Sequence, residues 1–184
     1  MLIIKTLITL CGFGLYSSLV IGQSLGAHVH GVATLSTAIE GNAVSIELHS
    51  PAANIVGFEH KASTEAEQNA VDNAKHTLSD ALALFSFSGS DCVLKHSEVD
   101  MSGVAKQAES HDHSHSHDHS HDHGHAEFVA SYHLECDNLQ AAKSLTVSLF
   151  KAFPAIEKIE AQWLTTNKQG AQILTPSNNT LLVK

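Results

Sequence analysis

Glu127-Phe-Val-Ala-Ser-Tyr-His-Leu-Glu-Cys136 decides the fold class, because every second residue in it, Phe128, Ala130, Tyr132, Leu134 and Cys136, is apolar. Successive strand side chains point to opposite faces, so these five form a core face. His133 falls on the other face with Glu127, Ser131 and Glu135. Upstream, Cys92-Val-Leu-Lys-His96 reads as a second strand. The chain between the two, roughly 100–126, has no apolar periodicity and is rich in Ser, His and Asp. Further upstream, Val32–Ile39 and Ala43–His49 are β-rich runs joined by Glu40-Gly41-Asn42 and read as a hairpin. Pro51 ends the second run, and residues 54–60 follow as an irregular connection.

Thr64 followed by Glu67 is a capping-box signature. Ala70, Val71, Ala74, Leu78, Ala81, Leu82 and Phe85 then recur at helical spacing, which predicts a first helix over 64–85. Leu139, Ala142, Leu145, Leu149 and Phe153 predict a second over 138–151, stopped by Pro154. Runs 159–164, 172–175 and 180–183 add short strands separated by Asn-Lys-Gln-Gly and Pro-Ser-Asn-Asn turns. The expected fold is α+β: antiparallel sheet with two helices on one face and a His-rich loop inserted in a hairpin.

Residues 1–26 read as a secretory signal peptide: Lys5 is the only charge ahead of an apolar run, and small residues follow it. Cleavage after Gly22, Gly26 or Ala27 fits, and the last would leave His28 as a free amino terminus. Gly12, Gly14, Ser17 and Ser18 interrupt the run and argue against a membrane anchor, so no stable membrane insertion is expected after cleavage. Residues 27–184 then form one domain. The exported chain keeps Cys92 and Cys136, which in an oxidising compartment read first as a disulfide, and secondly as metal-binding thiols. A bond closing the intervening loop is worth about 4 kcal/mol and was expected to staple the base of the insert. The chain has no arginine and a net charge of −9. Nucleic acid is therefore an improbable partner, while an acidic surface concentrates cations.

From His111 to His125 every second residue is histidine: His111, His113, His115, His117, His119, His121, His123 and His125. Imidazole suits Zn(II), Ni(II) and Cu(II), and the interleaved Asp112, Asp118 and Asp122 can orient the rings or bind the ion. With no apolar residue to bury, this insert is expected to stay disordered without metal and to take several ions in exchangeable sets. Outside it, His28 and His30 alternate, about 7 Å apart in extended chain. His49 shares a strand face with Ser45 and Glu47, and Glu59-His60 precedes the first helix. With His133 they could form an ordered site if hairpin, turn and central strand converge. His76 and His96 read as ordinary surface residues.

Ala27-His-Val-His-Gly31, Ser50-Pro-Ala-Ala-Asn-Ile-Val-Gly-Phe-Glu-His60, the cysteine pair around a His-rich insert and Phe150-Lys-Ala-Phe-Pro154 together resemble the ZrgA family of zinc-regulated periplasmic proteins of Gram-negative bacteria. The resemblance spans the exported chain. It implies zinc acquisition alongside an ABC-type uptake system and raises His28, His30, Glu59 and His60 as ligands. A periplasmic sink for Zn, Ni or Cu would use the same residues, although Met1 and Met101 are too few for a Cu(I) specialist. A zinc hydrolase needs three fixed ligands and a positioned base, and neither His-Glu-x-x-His nor Gly-x-Ser-x-Gly occurs, so no enzyme is expected.

Overall fold

The computed structural model of the chain describes residues 29–106, 126–140 and 142–183. Residues 1–28 and 107–125, which carry the signal-peptide reading, His28 and His111 to His125, lie outside the described residues.

Val32–Glu40 (β1) and Ala43–Pro51 (β2) form the expected hairpin, with Glu40 opposite Ala43 across the Gly41 turn. Pro51 closes β2, and Ala52–Val56 continues as a one-turn helix, α1, ended by Gly57 at φ 87°. The expected irregular connection therefore begins with a helical turn. Thr64 and Glu67 make the capping box reciprocally and start Glu65–Ser79 (α2), which buries Val71, Ala74 and Leu78.

The expected single helix to residue 85 breaks at Asp80, whose φ −89° and ψ 73° leave the helical region. Its carboxylate accepts from the Ala83 N–H and starts a separate turn, Ala81–Leu84 (α3). A short acidic side chain caps a new helix more readily than it continues an old one. The break swings Leu82 outward, where it is 46% exposed instead of joining the apolar stripe. The chain then runs directly into Phe85–Phe87 (β3).

Cys92–Asp100 (β4) and Glu127–Cys136 (β5) pair antiparallel, and Phe128, Ala130, Tyr132, Leu134 and Cys136 are all buried as the alternation requires. The helix expected over 138–151 is replaced by Ser144–Val147 (β6) and a single turn, Leu149–Ala152 (α4). Leu145 and Val147 are buried and Thr146 sits between them, so period-two burial with β-branched residues overrides the helical spacing. Lys158–Thr165 (β7), Gln169–Leu174 (β8) and Thr180–Leu182 (β9) complete the chain.

The strands form two sheets. The larger is ordered β4-β5-β2-β1-β7-β8, antiparallel except for the parallel β1–β7 pair, which makes it mixed rather than wholly antiparallel. The smaller is β3-β6-β9. The architecture is α+β, with one long helix, α2, and three single turns, α1, α3 and α4, among the described residues where two long helices were expected. Tyr132 ties the layers together: its hydroxyl donates to the Leu78 carbonyl of α2 at 2.7 Å, and its ring meets Phe85 edge-on. The helices thus cover the face of β5 that carries Tyr132, and the opposite face of the larger sheet is open.

The disulfide Cys92–Cys136 is formed. It joins the first residue of β4 to the last of β5, so the whole β4–β5 ladder separates it from the base of the insert. The expectation that it staples that base is corrected: antiparallel pairing puts the ends nearest the insert, Asp100 and Glu127, farthest from the bond. The base is held instead by close packing and hydrogen bonds. Gly103 abuts Ala126 so tightly that a Cβ at 103 would meet the Ala126 Cβ at 2.9 Å. Asp100 accepts from the Ser102 N–H at 2.8 Å, which turns the chain out of β4 and lowers the Asp100 pKa.

Candidate metal centre

A buried asparagine sets up the first cluster. Asn54, on α1 and only 3% exposed, accepts from the Gly31 N–H at 2.7 Å and donates to the Val32 carbonyl at 2.9 Å and the Ser50 hydroxyl at 3.3 Å. Gly31 adopts φ 82°, and its carbonyl accepts from the N–H groups of Glu157 and Lys158 at 2.8 and 2.9 Å. The entry to β1 is thereby clamped to α1 and to the start of β7. The left-handed turn at Gly57 then brings the chain back beside residue 30. His30 Nε2 lies 3.1 Å from Glu59 Oε1, with the imidazole exposed and the carboxylate largely covered. Two ligands on one tetrahedral zinc stand about 3.4 Å apart, given metal–ligand distances near 2.1 Å. This pair is therefore close to ligand spacing already.

His60 shares the corner but is turned away. Its Nδ1 is 3.0 Å from the Lys61 carbonyl, its Nε2 is 3.7 Å from Glu67 Oε1, and its ring stacks on Phe58. Glu67 is pulled down to about 2, chiefly by the Thr64 and Ser63 backbone N–H groups that it accepts from, so it stays ionised beside His60.

His49 and His133 lie elsewhere, on the open face of the larger sheet. His49 Nε2 is 2.7 Å from Glu47 and its Nδ1 is 3.5 Å from Glu127. Each ring nitrogen thus faces a different carboxylate, an arrangement that holds a proton rather than presenting three donors to one point. Partial burial lowers the His49 pKa, but the hydrogen bond that its ring N–H donates to Glu47 and the charges of Glu127 and Glu47 outweigh it and raise the value above 6.5. His133 Nδ1 pairs with the Ser45 hydroxyl at 3.1 Å. Among the described residues no three of His, Cys, Asp and Glu come together as a metal-holding group. The hairpin, turn and central strand therefore do not merge the sequence-predicted ligands into one centre. They yield a His30–Glu59 pair with His60 adjacent, and an open-face set with His49 and His133 apart from it. His76 is exposed on α2, as its helical position suggests.

The base of the insert meets the first cluster. The Ala62 N–H donates to the Val104 carbonyl at 2.8 Å, Lys61 Nζ donates to the Ser102 carbonyl, and the Ala52 N–H donates to the Ala126 carbonyl at 2.8 Å. Both ends of the His-rich segment thus leave the domain beside α1 and the Glu59–Ala62 loop. Sequence reasoning passed over Asn54, although it sits within the Pro-Ala-Ala-Asn stretch. A polar residue between apolar neighbours was the available signal, and only the tertiary pairing shows what it holds.

No curated protein matches the chain. A family model described as ZrgA family zinc uptake protein matches residues 27–183. With that match covering nearly its whole length, the chain belongs to the ZrgA family of zinc uptake proteins.

Proposed function

We propose that the protein captures Zn(II) in the periplasm and supplies it to an ABC-type importer, using the His-rich segment for capture and the His30–Glu59 corner as the ordered site. In this reading His111, His113, His115, His117, His119, His121, His123 and His125 bind several ions in exchangeable sets. His28, His30, Glu59 and His60 hold one ion more tightly. His49 and His133 contribute accessory ligands on the open face. The observation that carries the reading is the anchoring of the residues that flank the segment, Ser102 and Val104 on Lys61 and Ala62, next in the chain after Glu59 and His60, and Ala126 on Ala52 of α1. In the corner itself a carboxylate and an imidazole stand at near-ligand spacing, ready to take an ion that the segment gives up. Export agrees with the charge and signal-like composition of residues 1–26, and no helix among the described residues is long and apolar enough to cross a membrane.

Zinc binds neutral imidazole, so acidification releases it. The test is calorimetric zinc titration of the exported chain beside a variant lacking 111–125 and a His30→Ala/Glu59→Gln variant. The deletion should remove several weaker sites and keep one tight site, and the double substitution should remove the tight site alone. Unchanged stoichiometry in the deletion variant would refute the role of the segment.

A further inference from the structure

β4 contains a register shift between Leu94 and His96, so that Lys95 and His96 together oppose His133 on β5. In an unbroken ladder Lys95 would face His133, and His96 would point to the core side opposite Tyr132. The bulge inserts one residue and turns His96 to the open face, where its ring lies 6.1 Å from that of His133 at an interplanar angle of 29°. A bulge that re-aims a side chain is a recurrent device at functional positions.

We propose that His96 and His133 form a second, two-histidine site for a borderline divalent cation of the Zn(II), Ni(II) or Cu(II) class, open to solvent on its remaining positions. The proposal rests on the reading of the protein as a zinc binder but uses a site distinct from the His30–Glu59 corner. Two imidazoles on one ion at metal–nitrogen distances near 2.1 Å place their ring centres about 5 Å apart. The observed spacing is within side-chain rotation of that value. The Ser45 hydroxyl at His133 Nδ1 orients the ring, and when Nδ1–H donates to it the Nε2 lone pair is directed outward for the metal. In the next cross-strand row Glu98 and Glu47 flank Ser131, and their negative charge favours a cation here. Glu135 is drawn to Lys95 at 2.7 Å, which keeps that ammonium on a carboxylate partner. A rigid pair of imidazoles with free coordination positions can receive an ion and yield it to further ligands without unfolding anything.

The test is amide NMR of the exported chain and of the variant lacking 111–125, with Cu(II) added stepwise to beyond two equivalents as a paramagnetic probe, repeated on His96→Ala and His133→Ala. Broadening should appear at 94–98 and 131–135 in the unsubstituted protein and vanish in either variant. Each single variant should lose affinity at this site on the order of a hundredfold, because chelation needs both rings. Thermal midpoints should be unchanged, since both rings are exposed. Absence of broadening at these strands would overturn the proposal. So would broadening around 133 that persists in His96→Ala, which marks a lone imidazole. Broadening at 30, 31 and 59 reports the His30–Glu59 corner separately, so the two readings fail independently.

Discussion

Replacing Asn54 by alanine removes three hydrogen bonds in one step and strands the buried Gly31 N–H. A net contribution of about 1 kcal/mol per bond gives a loss of about 3 kcal/mol, with the buried orphan donor at Gly31 keeping the cost from falling much lower. For a domain of this size that corresponds to a fall in thermal midpoint of roughly 6–12 °C. The same change frees the chain ahead of β1, so His30 should no longer be held 3.1 Å from Glu59, and the tight zinc site should weaken while the sites of the His-rich segment persist. Differential scanning calorimetry of the metal-free protein and zinc titration against a competing chelator measure the two effects. A midpoint within 2 °C of the unsubstituted protein, or a tight site of unchanged affinity, would refute the clamp.

Two further outcomes follow from the geometry. The raised pKa of His49 means that its proton-bound form stabilises the fold fully below pH 6.5, and that this contribution is lost as pH rises through the folded value. In the presence of a chelator, His49→Gln should therefore lower the urea midpoint at pH 6 and converge on the unsubstituted protein as pH rises through the folded value; a difference that does not change with pH would contradict the assigned carboxylate partners. Substituting Cys92 and Cys136 together by serine should cost about 4 kcal/mol in urea denaturation through loop closure alone. It should leave zinc stoichiometry intact, because the bond sits at the end of the β4–β5 ladder remote from the insert. A loss of bound zinc would show that the ladder transmits strain to the base.

In the larger sheet the strands were legible where burial is one-sided. Glu127–Cys136 could be read residue by residue, because a core face and a wet face alternate without interruption. Reading failed where two periods fit the same letters: Leu145, Leu149 and Phe153 satisfy helical spacing, yet Leu145-Thr146-Val147 pairs as a strand between β3 and β9. It failed again at Asp80, where a hydrogen bond to the third residue on ends one helix and begins another. Of the candidate ligands, Glu59 and His60 were legible as neighbours, but the approach of His30 depends on Asn54, a contact across 22 or more residues that no local pattern encodes. His96 was legible as a surface residue, but its place beside His133 depends on a one-residue register shift that no local pattern encodes.

The contact between Gly103 and Ala126 has a bearing on how such a chain can evolve. Where a segment enters and leaves a domain at touching points, its span is decoupled from the scaffold, and doubling its length adds only about 0.6 kcal/mol of closure entropy. Histidine-bearing repeats can then be gained or lost by slippage in the coding sequence with almost no penalty to folding. If the segment binds zinc as proposed, its capacity becomes a quantity that selection can tune to metal scarcity while the scaffold stays as it is.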